Sequence, residues 1–361
     1  AAPTGTNAPT DGTSESDGGK NEALKASLKA GFLKDADEVT VNEDSVTFRD
    51  ATSADGSTVT VKKNPAKVIN LYASFTTLWY EAGGIGGNSS QELYKEYIGR
   101  DITTDEGMTV VATSSSGKKW NVESIVALQP DLIICSTAMS GYSTIEGPAK
   151  AANIPVIAVS YNDFSDYLKW FKVFCNLSGH AELWESIALK ALDEVVEVLC
   201  EIPDGKAPTV FSMFANASKL EANTSSTVVG GMVTAMKATN IVDSWPNTEG
   251  ADRLTINLET VFAANPDIII IQCHAGTDAA KKQVAETYGN NAVWNSLNTV
   301  TMRCGTACPR SRTTRSIICR RRFSTTSPTA ASPRLIRYWR SFCTRMWHSP
   351  SRARNELFRT V

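Results

Sequence analysis

Histidine is scarce in this 361-residue chain, and long apolar runs are missing altogether. Of three histidines only His180 and His274 precede residue 301, and neither belongs to a Ser/His/Asp or HxxE arrangement. The converging acid–base or metal set that most enzymes display is therefore not visible. No apolar stretch is long enough to cross a bilayer as a helix. Cys135, Cys175 and Cys200 have no CxxC or metal-type spacing, nor does Cys273, so they read as small buried apolar residues. Arginine is nearly absent up to residue 300, where only Arg49, Arg100 and Arg253 occur. Residues 1–20 offer almost nothing to bury, which is the composition of a flexible tether or an ordinary disordered terminus.

What is present divides sharply in charge. Residues 1–300 hold 22 Lys+Arg against 37 Asp+Glu, whereas residues 301–361 hold 14 Arg, no Lys and one acid, Glu356. Four of the eight cysteines, with Trp339 and Trp347, also fall in that tail, and the hydrophobic rhythm stops there. A basic tail could bind nucleic acid or anionic lipid. Arg, Ser, Thr, Pro and Cys enrichment without Lys is instead what an out-of-frame reading of a GC-rich gene produces. Read with the frame shifted, the segment 323–337 is compatible with ILYYKPNRRFAEAY, an amphipathic helix, followed by PILAKLLHPDV. Residues 301–361 are accordingly expected to be a frameshifted, non-native tail, and no nucleic-acid function is taken from them.

The most telling positive feature is a phrase that occurs twice. Asn121 to Ile134 reads NVESIVALQPDLII, and Asn257 to Ile270 reads NLETVFAANPDIII, seven of fourteen positions being identical. In each copy Asn is suited to cap a helix, and a Glu sits in the first turn where the helix dipole favours negative charge. A short apolar helix, a Pro-Asp break and an aliphatic strand follow. Two copies predict two similar α/β lobes. Around them, Val46–Phe48 and Thr58–Lys62 alternate and predict a hairpin. Strands are expected at 68–74, 132–135, 156–159 and 209–213. From Phe164 to Leu199 apolar residues recur at three- and four-residue steps, broken at Ser178-Gly179. This predicts a flexible tether over 1–20, an N-terminal α/β lobe over 21–163, a linking helix over 164–203 and a C-terminal α/β lobe over 204–300. The fold class is α/β: two doubly wound lobes joined by a long helix, with a ligand cleft between them. GGIGG at 83–87 follows a helix instead of a strand, so a dinucleotide fingerprint is not supported. Gly230-Gly231 reads as a tight turn into a helix.

Several segments, in this order and spacing, carry a resemblance: the hairpin with KNPAKVINL, the NxExxxALxPDLII phrase, IPVIAVS, the long helix, STVVGGM, and NLE…NPDIIII leading to VWNSLNTV. Over residues 45–300 the chain resembles the substrate-binding proteins that deliver ferric siderophores, haem or cobalamin to ABC importers. The resemblance implies a non-enzymatic, extracytoplasmic, monomeric protein, attached to the membrane only through an N-terminal lipid anchor. No intrinsic cofactor is implied; the metal chelate is cargo. The partner is a permease dimer, whose arginines would pair with Glu123 and Glu259 on the two lobes, where the bland alternative is dipole stabilisation alone. Loops after predicted strands then supply the ligand candidates. These are Tyr72, Ser74, Phe75, Met139, Tyr142 and Tyr161 in the N-lobe, and Phe214, Asn216, Trp245, Arg253 and His274 in the C-lobe. Aromatics with a few polar groups suit a large amphipathic chelate. Arg253 suits carboxylate or hydroxamate oxygens, or is a solvated loop charge. His274 or Met139 could ligate haem iron, although a lone His at a strand end is more often structural. The alternative reading is a metal-chelatase-like enzyme on a similar two-lobed plan. A zinc- or manganese-ion binder would want several histidines in the cleft, which this chain lacks.

Overall fold

Strands buried on both faces favour apolar side chains throughout, and the N-lobe strands at 68–70, 132–136 and 156–159 follow this except at the buried Asn70 and Ser136. In this computed structural model the described residues are 14–53, 55–85, 87–89, 111, 119–137, 139–202, 205, 207–215, 220–246, 248–256, 258–273, 301–302 and 315–319. The N-lobe sheet is all parallel, in the order β5-β4-β6-β7, with β4 at Val68–Asn70, β5 at Gly87–Ser89, β6 at Leu132–Ser136 and β7 at Val156–Val159. The aliphatic run of β6 divides by alternation. Leu132 and Ile134 face the larger of two core clusters, Ile133 and Cys135 the smaller one. Burial raises the Cys135 thiol to about 12, so it behaves as an inert apolar group.

Ahead of this sheet, β1 (Thr40–Val41), β2 (Ser45–Phe48) and β3 (Val59–Lys62) form an antiparallel ribbon. Val46 faces Val61, and the hydroxyls of Thr47 and Thr60 meet at 2.9 Å on the wet side. Asp50 then anchors the ribbon to the edge of β7. One carboxylate oxygen accepts from the Ala158 amide at 2.9 Å, the other from Thr52. A helix, α1 (Ser14–Asp37), precedes the ribbon. It starts inside the stretch expected to be tether. Helix propagation is cheap once nucleated, so a helix formed by the later turns extends back into this polar stretch. Its C-terminal half packs through Leu28, Phe32, Leu33 and Ala36.

The helices α2 (Ala73–Glu81), α3 (Val122–Ala127) and α4 (Tyr142–Ala151) cover the N-lobe sheet. The linking segment is two helices. The first, α5 (Phe164–Ser178), opens with a reciprocal capping box between Asp163 and Asp166 and ends at Gly179, which takes the left-handed conformation at φ 82°. A π-helical turn, Trp184–Leu189, leads into α6 (Lys190–Cys200), whose Leu192, Val195, Val196 and Leu199 are buried. The larger core cluster runs without a break from the N-lobe sheet through α5 and α6 to Val210, Val229 and Ile268 of the C-lobe. One shared core across the link opposes wide hinge motion.

The C-lobe sheet is mixed. Its centre, β8 (Thr209–Ala215), pairs parallel with β12 (Ile268–Cys273) and β10 (Thr239–Asn240), and antiparallel with β9 (Leu220–Asn223). β9 in turn pairs antiparallel with β11 (Arg253–Thr255). The helices α7 (Val228–Ala235) and α8 (Leu258–Ala264) pack in this lobe. From the tail, β14 (Arg315–Cys319) lies parallel beside β12, and β13 (Thr301–Met302) antiparallel beside β14. β14 thus lies between β12 and β13, the latter forming the sheet edge.

Candidate functional site

From its helix to its strand the repeated phrase does the same structural work in both lobes, Asn257 of the second copy lying outside the described residues. Asn121 caps α3 by accepting from the Ser124 amide at 3.0 Å. Each helix ends on a left-handed residue before Pro, Gln129 at φ 46° and Asn265 at φ 43°. The following aspartate grips the start of the neighbouring strand. Asp131 accepts from the Lys67 amide at 2.8 Å, and Asp267 accepts from the Thr209 amide at 2.8 Å and its hydroxyl at 2.9 Å. Glu123 is exposed in the first turn of α3, and Glu259 is the equivalent second residue of α8.

At the opposite end of the N-lobe strands, the loops after β4, β6 and β7 face the C-lobe across a cleft of about 240 Å³. This is the carboxyl edge where open α/β sheets place ligands. The N-lobe contributes Tyr72, Phe75, Ser136, Thr137 and Tyr161, and the C-lobe contributes Ser226, Thr227, Asp252 and Arg253. Four of the expected ligand residues thus converge: Tyr72, Phe75, Tyr161 and Arg253. Phe75 is buried as the floor, with its ring 5.0 Å from Tyr72 and 6.5 Å from Tyr161. Burial pushes the Tyr161 phenol well above its usual value, with the nearby carboxylates of Asp166, Asp163 and Glu81 adding to the effect. The phenol therefore enters the cleft as a neutral hydroxyl.

Arg253 is not a loop charge. It begins β11 and is half-buried. Its Nε donates to Asn223 Oδ1 at 3.0 Å, and its guanidinium carbon sits 4.2 Å from the centre of the Phe214 ring. Asn223 is fully buried and donates in turn to Ser212 Oγ at 3.0 Å. Phe214 is therefore the shelf on which the guanidinium rests, buried at 8% exposure.

The remaining expectations divide. Trp245 is buried against Phe211, ring centres 5.9 Å apart, in the C-lobe core and away from the cleft lining. Its aromatic bulk is used for packing. Tyr142 opens α4 and packs on the smaller core cluster with Trp120, on the other face of the sheet. Met139 lies half-buried in the turn after β6, its amide donating to the Ser136 carbonyl, and it does not line the cleft. Ser74 lies in the first turn of α2. Asn216 and His274 lie outside the described residues. The sequence reading missed the hydroxyls Ser136, Thr137, Ser160, Ser226 and Thr227. The signal was available, since Ser136, Thr137 and Ser160 stand at the ends of aliphatic strands and Ser226 precedes the helix cap Thr227, but small hydroxyls at such places are common. Among the described residues no group of three His, Cys, Asp or Glu is placed to hold a metal ion, and no helix is long and apolar enough to cross a membrane.

Known proteins share this architecture. S. aureus IsdE complexed with heme superposes with a TM-score of 0.55 at 13% identity, covering 78% of this chain and 99% of that one. The petrobactin-binding protein YclQ from Bacillus subtilis gives 0.57 at 15% identity, covering 83% and 99%. At such identities the likeness speaks to the fold. In sequence, an uncharacterized ABC transporter substrate-binding lipoprotein of Bacillus subtilis (strain 168), YvrC, is 23% identical over 263 residues, 71% of this chain and 75% of that protein. The periplasmic binding protein family matches residues 96–302, more than half of the chain, and includes both copies of the repeated phrase, the linking helices and Arg253. The chain belongs to the periplasmic binding protein family.

Proposed function

We propose that this protein is an extracytoplasmic substrate-binding protein that captures an iron chelate between its lobes and hands it to the permease dimer of an ABC importer. The observation that carries this reading is the cleft itself, in which Arg253, aimed by Asn223 and shelved on Phe214, faces Tyr72 and Tyr161 from the other lobe. Family membership favours a binding protein over the chelatase-like alternative. A guanidinium, two phenols and a ring of hydroxyls are donors for the oxygen ligands of a ferric siderophore. Arg253 is the one cation among the described cleft-lining residues, which supports a chelate of low net charge. Haem and cobalamin are the competing cargoes of the same reading. The lipoprotein relative supports attachment to the outer face of the cell membrane.

Delivery requires docking, and the matched Glu123 and Glu259 are the groups proposed for it. Rim charges set encounter and register more than affinity. The double variant Glu123→Ala, Glu259→Ala is expected to bind chelate as wild type does but to reduce permease-dependent uptake in reconstituted vesicles by roughly tenfold or more. Unchanged uptake would remove the docking role.

A further inference from the structure

Behind the cleft, and sharing Tyr161, Asn162, Ser226 and Val228 with it, lies a second cavity of about 500 Å³. Its walls come from three helices: Phe32 on α1, Phe164 at the start of α5, and Met232 and Ala235 on α7. The walls are fixed in advance. Phe32 meets Phe164 edge-on at 5.4 Å, and Phe164 stacks on Tyr167 at 5.7 Å. Lys172 Nζ holds the end of α1 by donating to the Ala36 carbonyl at 2.9 Å, and Lys29 pairs with Asp193 of α6 at 2.6 Å. Three of the polar side chains at the rim, Ser225, Thr234 and Asp163, are engaged with the protein. Ser225 donates to Asp243, the hydroxyls of Ser225 and Thr234 meet at 2.8 Å, and Asp163 caps α5. What remains toward the space is largely carbon.

The glycine pair inside the first turn of α7 supplies an independent observation. A Cβ on Gly230 would lie 2.0 Å from the Thr224 carbonyl oxygen, so packing demands that glycine. A Cβ on Gly231 would meet only the Ser225 carbonyl oxygen at an ordinary 3.5 Å, and Gly231 is not among the glycines of positive φ. Neither backbone nor packing requires a glycine there, and glycine is among the poorest helix formers. Yet Gly231 lines the second cavity.

We propose that this cavity is a second compartment of the ligand site, which receives an apolar or aromatic arm of the ligand while an oxygen-rich head lies beside Arg253, and that Gly231 keeps it open. The inference rests on reading the cleft as a ligand site and narrows the substrate class to elongated, amphipathic chelates carrying at least one ring or alkyl arm. A cavity of ~150 Å³ already admits a benzene ring, so this one has room for a ring system of two.

The test uses the full chain and 8-anilinonaphthalene-1-sulfonate, an aromatic probe with a single anionic head, read by fluorescence titration beside ferric siderophores. Gly231→Ala puts one methyl group into the space and is expected to weaken dye binding about twofold while melting roughly 2 °C higher. Gly231→Phe fills the compartment from α7, and Phe32→Trp narrows it from α1. Each is expected to weaken dye binding about tenfold or more, with a melting temperature near that of wild type. Two walls keep the test decisive if one variant misfolds. Dye affinity unmoved in both filled variants overturns the compartment, whether or not chelates bind. If no chelate binds to wild type while the fillers still displace the dye, the compartment stands and the chelate reading falls.

Discussion

Arg253 owes its place to Asn223 and Phe214, neither of which lines the cleft. Asn223 takes its Nε, and Phe214 offers a ring face beneath it, so the guanidinium is ordered before anything binds. Preorganisation of this kind lowers the entropy lost on binding. Arg253→Gln is expected to weaken binding of an anionic or hydroxamate chelate about tenfold to a hundredfold, the loss of one or two charge-assisted hydrogen bonds. Isothermal titration of a protein whose melting temperature is unchanged would check it; affinity within a factor of two of wild type would remove Arg253 from the site. The sequence shows the residue but not this role. Arg253 stands out there only by the rarity of arginine before residue 301. Its support comes from Asn223, thirty residues away, through a pairing of two short strands that no local pattern announces. Trp245 shows the opposite failure. A tryptophan after a predicted strand is as suited to a core as to a pocket, and here the core at Phe211 takes it.

Among elements, the repeated phrase was the most legible because its signals are local: an Asn cap, an acidic first turn, a Pro that ends the helix and an aliphatic strand. The grip of Asp131 on Lys67 and of Asp267 on Thr209 was not legible, since each spans about sixty residues of sequence. The strands β9 and β11 were missed for a related reason: at four and three residues they are too short to show a period. The end of α2 has its own consequence. Burial pushes the Glu81 carboxyl up from 4.5 to about 7, and its nearest titratable neighbours include the phenols of Tyr161 and Tyr167. Between those two pH values the folded protein holds a proton that the unfolded chain has released. Stability is therefore lost as pH rises through this window and is fully present below it. Glu81→Gln removes the titration. It is expected to melt above wild type at pH 8, with the difference shrinking toward pH 4. Parallel melting curves across that range would contradict the assignment.

For the whole molecule, one core cluster threading both lobes through α5 and α6 makes the cleft a nearly fixed shape. The N-terminal helix, lying against the linking helices, adds to that rigidity through Lys172 and Asp193. The tail is the exception to a chain whose parts otherwise agree. The family match ends at residue 302, beside the point where the charge reverses. A chain carrying residues 301–361 in the shifted frame, KPN and its amphipathic helix included, is expected to melt several degrees above the present one, because it would restore apolar cover to the C-lobe. Equal melting temperatures would contradict a frameshifted origin. The central claim is that the inter-lobe cleft binds an iron chelate, and tryptophan fluorescence titration with ferric siderophores, haem and cobalamin tests it most directly. The account predicts saturable one-to-one quenching by at least one ferric siderophore, sharply weakened in Arg253→Gln; no response to any of the three classes would contradict it.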